Sequence, residues 1–368
     1  MRHEVRRAKN RGIFGSDPRR GYCRNRTNRT GSADMAHNIG EMFYYGDRPW
    51  HTLGKRLEQP ATLDEALKHG GLDWEVELLP LAVAGEPESS APHRRAVVRK
   101  DRKPGQAGRV IGVVHPGFGP LQNRAGAEMF DALLGQGQPI YHTGGYLKNG
   151  EVVWLLARLP RDIHVRGDDV VETYLLFSNS HDGSSAIDVR LTTVRVVCQN
   201  TLSLALDNAS VGKVFRRAHD GRYGVLKEEA RAFFEFSVKQ SEAAQALFAR
   251  LAATECDDKA FETFLAQLLP DPKRPVTASQ NSQVERAWQT RLATVRATRA
   301  QVMGVRHEGV VTQGVQPEDK TWWGALNTVT AWVDHVQKTN ADRYAHILFG
   351  EGDRIKTTAL HRIQAIVR

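Results

Sequence analysis

The sequence predicts an α+β protein, in which an antiparallel sheet packs against helices and hands over to a helical C-terminal region. Three observations predict it. From Leu72 to Cys198 apolar residues recur largely with period two, as in half-buried strands. Inside that span Asn149-Gly150 separates two β-rich runs, the strongest short-range hairpin signal. From Leu226 onward the apolar period changes to 3.6, the spacing of amphipathic helices.

The chain has 368 residues, 40% of them hydrophobic, enough for a substantial core. No run of 18 apolar residues exists and the N-terminus carries no apolar signal segment, so the expected setting is the cytoplasm, with no membrane. Cys23, Cys198 and Cys256 lie far apart, which excludes a disulfide framework and a cysteine-based zinc site. The net charge is +9, but residues 1–34 hold ten Arg or Lys against Glu4, Asp17 and Asp34, so they account for +7 of it. This stretch has no periodicity and few apolar residues, and reads as a disordered basic tail. Met35 opens a different composition, which makes a start at Met35 an equal alternative. The rest divides into an α+β core domain, 35–225, and a mainly helical region, 226–368, broken by prolines near 270–275.

Taken in order, Thr62-Leu63-Asp64-Glu65 has the spacing of a capping box, and Gly70-Gly71 closes the short helix it opens. Leu72, Trp74, Val76 and Leu78 alternate with acids as a strand. Residues 84–94, with Pro87 and Pro92, read as a loop before strands Arg95 to Arg99 and Arg109 to His115. Asn123 to Leu134 is a helix by its apolar side. Ile140 to Tyr146 and Glu151 to Leu159 flank the hairpin turn, and Thr173 to Phe177 is another strand. Helices then follow around Leu226 to Leu251, Phe261 to Leu269 and Val284 to Val302, with a glycine-rich loop from Gly304 to Gly314. Trp322, Leu326, Val329, Val333 and Val336 form a stripe, read as core in preference to a self-association seam.

The stretch from Leu176 to Leu206 concentrates the chemistry. Asn179, His181, Asp182 and Gly183 form a structural turn motif. In the strand after it, Ile187, Val189 and Leu191 are apolar at odd positions and Val194, Val196 and Cys198 at even ones. That phase slip at Thr192-Thr193 predicts a β-bulge, which would turn Arg190 and Arg195 to one outer face. Asn200 is placed to cap a helix bearing Leu202, Ala205, Leu206 and Ala209. Arginines beside a helix N-terminus, with Lys213, Arg216 and Arg217 following, are expected to bind nucleic acid or another anion. A thiol site from Cys198, His181 and Asp182 is the weaker reading, because Cys198 falls on the apolar phase. No HExxH, GxSxG, Walker A or GxGxxG pattern occurs, and Asp168-Asp169 reads as a solvated pair. Neither metal nor cofactor is expected.

On Pro49-Trp50-His51-Thr52-Leu53-Gly54, Leu121-Gln122-Asn123, His142-Thr143-Gly144-Gly145-Tyr146-Leu147, Asn179-Ser180-His181-Asp182-Gly183-Ser184, Arg195-Val196-Val197-Cys198-Gln199-Asn200-Thr201-Leu202 and Thr321-Trp322-Trp323-Gly324, the chain resembles the domain-of-unknown-function 932 family, in its phage- and plasmid-borne subgroup. The resemblance implies a mobile-element setting and brings no catalytic residues. The family's last tract usually has Gly-Thr before its Trp, where this chain has Lys320-Thr321, and the basic tail falls outside its pattern. The expected function is therefore non-enzymatic: single-strand DNA binding or annealing, in a homo-oligomer. The alternative is a protein-interaction module, a host-defence antagonist or regulator, that uses the Trp322 to Val336 helix.

Overall fold

The computed structural model describes residues 39–46, 54–134, 140–167, 169–195, 200–203, 215–224, 226–309, 316–337 and 343–368. The basic tail, Cys198 and Lys213 lie outside these residues. Two sheets and a set of helices make up the described chain, an α+β fold with a helical C-terminal region.

The large sheet contains β1 (Ile39–Tyr45), β2 (Lys55–Leu57), β6 (Tyr141–Leu147), β7 (Val152–Arg158), β9 (Asp169–Ser180), β10 (Ile187–Arg195) and β11 (Asn200–Ser203), in the order β11-β10-β9-β7-β6-β1-β2. Short β8 (Ile163–Arg166) pairs with β9, and β12 (Phe215–Arg217) with β10. All of these pairings are antiparallel except β1 with β2. The small sheet is the antiparallel meander β3 (Val76–Val83), β4 (Glu86–Arg99) and β5 (Val110–Val114).

Strong local signals fold as the sequence directs. Thr62 and Glu65 make a reciprocal capping box at the head of α1 (Leu63–His69), worth about 1 kcal/mol. Helix α2 spans Asn123–Leu134. The turn at Asn149-Gly150 joins β6 to β7, closed by the Gly150 N–H on the Leu147 carbonyl at 3.0 Å. The C-terminal helices are α3 (Leu226–Ala253), α4 (Asp258–Leu268), α5 (Ser282–Glu308), α6 (Trp322–Ala331) with a π-helical turn over Trp332–Val336, α7 (Arg343–Leu348) and α8 (Glu351–Ile366).

One apolar cluster joins strands to helices. It includes Phe43, Leu155, Leu175 and Phe177 of the large sheet, Val97 and Ile111 of the small one, Phe130 of α2, Phe248 of α3, and Leu326 and Leu360 of α6 and α8. The Trp322 stripe belongs to it, with Trp322, Leu326, Val329 and Val333 all buried and only Val336 exposed, so the stripe is core as expected.

Four local expectations change. The strand expected from Leu72 starts at Val76. Residues 86–94 are strand, because β4 continues past the small sheet as a two-stranded ribbon with β3. Helix α5 runs to Glu308, through Gly304, and is capped at Gly309. No bulge interrupts β10 against β9, since the register is continuous from Asp188↔Ser178 to Arg195↔Val171. The phase slip arises because both faces of β10 are covered: Ile187, Val189 and Leu191 are buried on one, Asp188 and Thr192 on the other. A strand buried on both faces has no solvent side for its polar residues to report.

Candidate functional site

The continuous register of β10 removes the bulge expected to bring Arg190 and Arg195 to one face. Arg190 is largely buried, and its guanidinium is held by Asp188 at 2.6 Å and by Asp353 of α8 at 2.9 Å. Asp188 also receives Arg216 at 2.9 Å. Two carboxylates thus neutralise the largely buried Arg190 and the exposed Arg216. Asn200 caps no helix: it opens β11 and pairs with Arg195 across the β10–β11 hairpin. Its side chain and that of Arg195 are outside those described. Arg217 lies within 4.0 Å of Asp220. The bulge and the helix cap on which the expected anion surface at Arg190, Arg195 and Asn200 rested are absent, and Arg190 is taken up by internal carboxylates, because pairing between distant elements outweighs the local signals.

A site does form at the turn motif. Two histidine–asparagine pairs build it. Asn179 donates through Nδ2 to the Leu121 carbonyl at 3.0 Å, so its Oδ1 accepts from His219 Nε2 at 2.8 Å. Asn123 donates to the Leu72 and Trp74 carbonyls, so its Oδ1 accepts from His181 Nε2 at 2.8 Å. Between them Gln122 makes a two-point contact with the Val76 backbone, 2.9 Å each way. Leu121-Gln122-Asn123 and Asn179 to Asp182 are thereby a set of amide staples that tie α2, the end of β9 and the small sheet together. Breaking one buried staple costs about 1–3 kcal/mol, since the partner is left unsatisfied.

Burial sets the protonation of both rings. His181 is lowered to about 3, chiefly by burial and then by His219 and Arg99. His219 is lowered to about 4 by burial, partly offset by Asp182. Both rings are therefore neutral at pH 7, each keeping its proton on Nε2 for the asparagine oxygen. His181 Nδ1 is buried without a hydrogen-bond partner among the described residues. Beneath it Arg99, 3% exposed, lies 4.1 Å over Trp74 and 5.3 Å from Tyr146, and is fixed by Asp101 and the Asn149 carbonyl.

Above the staples opens a cleft of about 760 Å³. One wall is the 115–119 segment, where Phe118 stacks on His219 with centroids 4.6 Å apart and planes at 20°. Gly119 and His219 are joined by a backbone hydrogen bond of 2.8 Å, which fixes this wall to the 218–221 segment. The floor is the turn Asp182-Gly183-Ser184-Ser185, in which Asp182 Oδ1 accepts from the Ser184 N–H at 2.9 Å and Gly183 has φ +74°, a left-handed conformation suited to glycine. Gly112 admits this turn against β5, because a Cβ there would meet the Asp182 Cα at 2.6 Å. The rim carries Arg94, exposed, whose guanidinium donates to the His93 carbonyl and has no carboxylate partner among the described residues. A cation, a stacked aromatic pair, hydroxyls and turn backbone face one open volume.

Of the turn motif, Asn179 and His181 are buried supports, whereas Asp182 and Gly183 line the cleft. Phe118, His115 and Arg94 are lining residues that the sequence did not single out as a site, whereas His219, expected to add positive charge after Arg216 and Arg217, lines the cleft as a neutral ring. The one signal for them was the pair of motifs at 121–123 and 179–184, which point to a shared place but not to their partners. Cys256 is buried with its thiol pushed up to about 11 by burial, which makes it inert. No group of three metal-ligating side chains occurs among the described residues. No described helix is long and apolar enough to cross a membrane.

The late motif also has a structural role. Thr321 caps α6 by accepting from the Gly324 N–H at 3.2 Å, and Lys320 pairs with Asp258 at 2.9 Å. No curated protein and no solved structure matches the chain. The family described as Domain of unknown function (DUF932) matches residues 110–359, from β5 through most of α8 and including the staples and the cleft turn. This chain belongs to the DUF932 family.

Proposed function

We propose that the protein binds single-stranded nucleic acid, and that the cleft, in place of the Arg190 face, is the contact surface. The observation that carries this reading is the juxtaposition of the Phe118–His219 stack with Arg94, a cation with no carboxylate partner among the described residues, on one open cleft. Bases stack on aromatic faces whatever their identity, while a rim cation meets the phosphate chain. Neutral His219 suits stacking, since burial keeps the ring uncharged. Asp182, the acid on the lining, is engaged by its own turn. The mobile-element setting enters this proposal on the sequence resemblance alone.

Anisotropy of a labelled oligothymidine titrated with the full-length protein tests it. Binding is expected to weaken with salt and to fall about tenfold or more in Phe118→Ala, the range for loss of a stacked base. Unchanged affinity in both Phe118→Ala and Arg94→Ala contradicts it. The interaction-module alternative has less support, since Trp322, Leu326, Val329 and Val333 on its helix are buried.

A further inference from the structure

The cleft floor holds an acid whose hydrogen-bonding capacity is only partly used. Asp182 is half-buried, and its Oδ1 accepts from the Ser184 N–H at 2.9 Å. No second donor and no basic side chain pairs with this carboxylate among the described residues. An ionised carboxylate has about four lone-pair sites, so most of its acceptor capacity stays open. The turn that carries it is fixed before any ligand arrives. Ser180 Oγ donates to the Ser185 carbonyl at 2.7 Å and accepts from the Ser185 N–H at 3.0 Å, which closes the loop on the end of β9.

That acid stands beside the aromatic pair. Asp182, Phe118 and His219 line one cleft. A Cβ built on Gly183 would lie 4.0 Å from Phe118 Cε2, so turn and ring are in van der Waals reach. Burial lowers His219, and the nearby Asp182 charge opposes that shift, which places the carboxylate within electrostatic reach of the ring.

A fixed carboxylate next to a stacking platform discriminates among bases by their Watson–Crick edges. Guanine presents two adjacent donors, N1–H and N2–H, which match the two oxygens of a carboxylate. Adenine and cytosine each present one amino donor beside a ring-nitrogen acceptor, and thymine presents one N–H between two carbonyls. Each of these three sets a lone pair against the negative charge. Ser184 and Ser185 add hydroxyls to the same floor, able to donate to guanine O6. A simple amine would satisfy the carboxylate and leave the ring pair and Arg94 without a role.

We infer that the cleft selects guanine, with Asp182 as the residue that specifies the base, Phe118 and His219 as its platform and Arg94 on the adjoining phosphate. This rests on the cleft being the contact surface proposed above, and goes further by naming the base it takes. The contact is charge-assisted and two-point, the stronger class of hydrogen bonding.

Competition on the full-length protein tests it, with labelled oligothymidine displaced by unlabelled oligothymidines that carry one central guanine, hypoxanthine or adenine. Guanine is expected to compete about tenfold or more better than adenine, the order of one good two-point base contact, and hypoxanthine, which lacks the N2 amine, to fall between. Asp182→Asn keeps an amide oxygen for the Ser184 N–H but turns the other acceptor into a donor, so the preference for guanine over adenine is expected to vanish. Equal competition by the three strands overturns the inference and leaves the single-strand reading standing. A guanine preference that survives Asp182→Asn also overturns it. If that variant does not fold, the wild-type comparison of guanine with hypoxanthine decides, since only the N2 amine differs. Calorimetric titration of guanosine and adenosine monophosphates separates the two proposals. A guanine preference there without oligothymidine binding removes the single-strand reading and keeps this one, and no preference in either format removes this one.

Discussion

The cleft and the β10 face are both polar networks around a strand of the large sheet, but they spend their polar groups differently. At β10, Arg190, Arg216, Asp188 and Asp353 satisfy one another, and Arg190, which stands out in the sequence, is consumed as internal glue. At the cleft, neutral His–Asn pairs carry the architecture, and Arg94 is left over for an outside partner. Charge density in a sequence therefore marks where ions are buried at least as readily as where ligands bind. Unpaired charge is the better guide, and it is visible only after folding.

This contrast can be broken first at Asp188, which is 3% exposed. Asp188→Ala strands a largely buried arginine and is expected to cost on the order of 3 kcal/mol, read from urea unfolding. A cost under 1 kcal/mol would mean that the β10 network is open to solvent. Next is the staple: Asn123→Ala removes the acceptor of His181 and the donor to two carbonyls, with an expected cost of about 2 kcal/mol.

Acid distinguishes the regions, since the β10 network has no histidine. The folded values of His181 and His219 lie below the ordinary 6.5, so the unfolded chain binds more protons and stability falls as pH drops from about 6.5 toward 4. His181 contributes about 1.4 kcal/mol per pH unit in that window. His142, lowered to about 4 by burial, acts in the same sense. Replacing His181 by Gln should flatten unfolding free energy between pH 6.5 and 5, and an unaltered slope would show that His181 is not buried neutral. The smallest effect is at Arg216, 64% exposed on Asp188, where Ala should cost less than 1 kcal/mol.

Much of this fold was legible locally. The capping box at Thr62, helix α2, the Asn149-Gly150 hairpin and the C-terminal helices each rest on neighbours within a few residues. What failed was non-local. Asn200 carries the signal of a helix cap, yet strand pairing with Arg195 overrides it. The apolar phase along β10 promised a bulge because α8, far along the chain, covers the face that was taken for solvent. Of the site, the turn residues Asn179, His181, Asp182 and Gly183 were legible as a motif. Their partners were not, since His219 meets Asn179 across 40 positions and Asn123 meets His181 across 58.

The central claim is that the cleft, and not the β10 arginines, contacts nucleic acid. Its most direct test is oligothymidine affinity of full-length Arg94→Ala/Phe118→Ala set beside Arg216→Ala at one salt concentration. The account predicts a loss of about tenfold or more for the cleft pair, from the stacked base and the phosphate contact, and no change for Arg216→Ala. Retained affinity in the cleft pair together with a loss at Arg216 would contradict it.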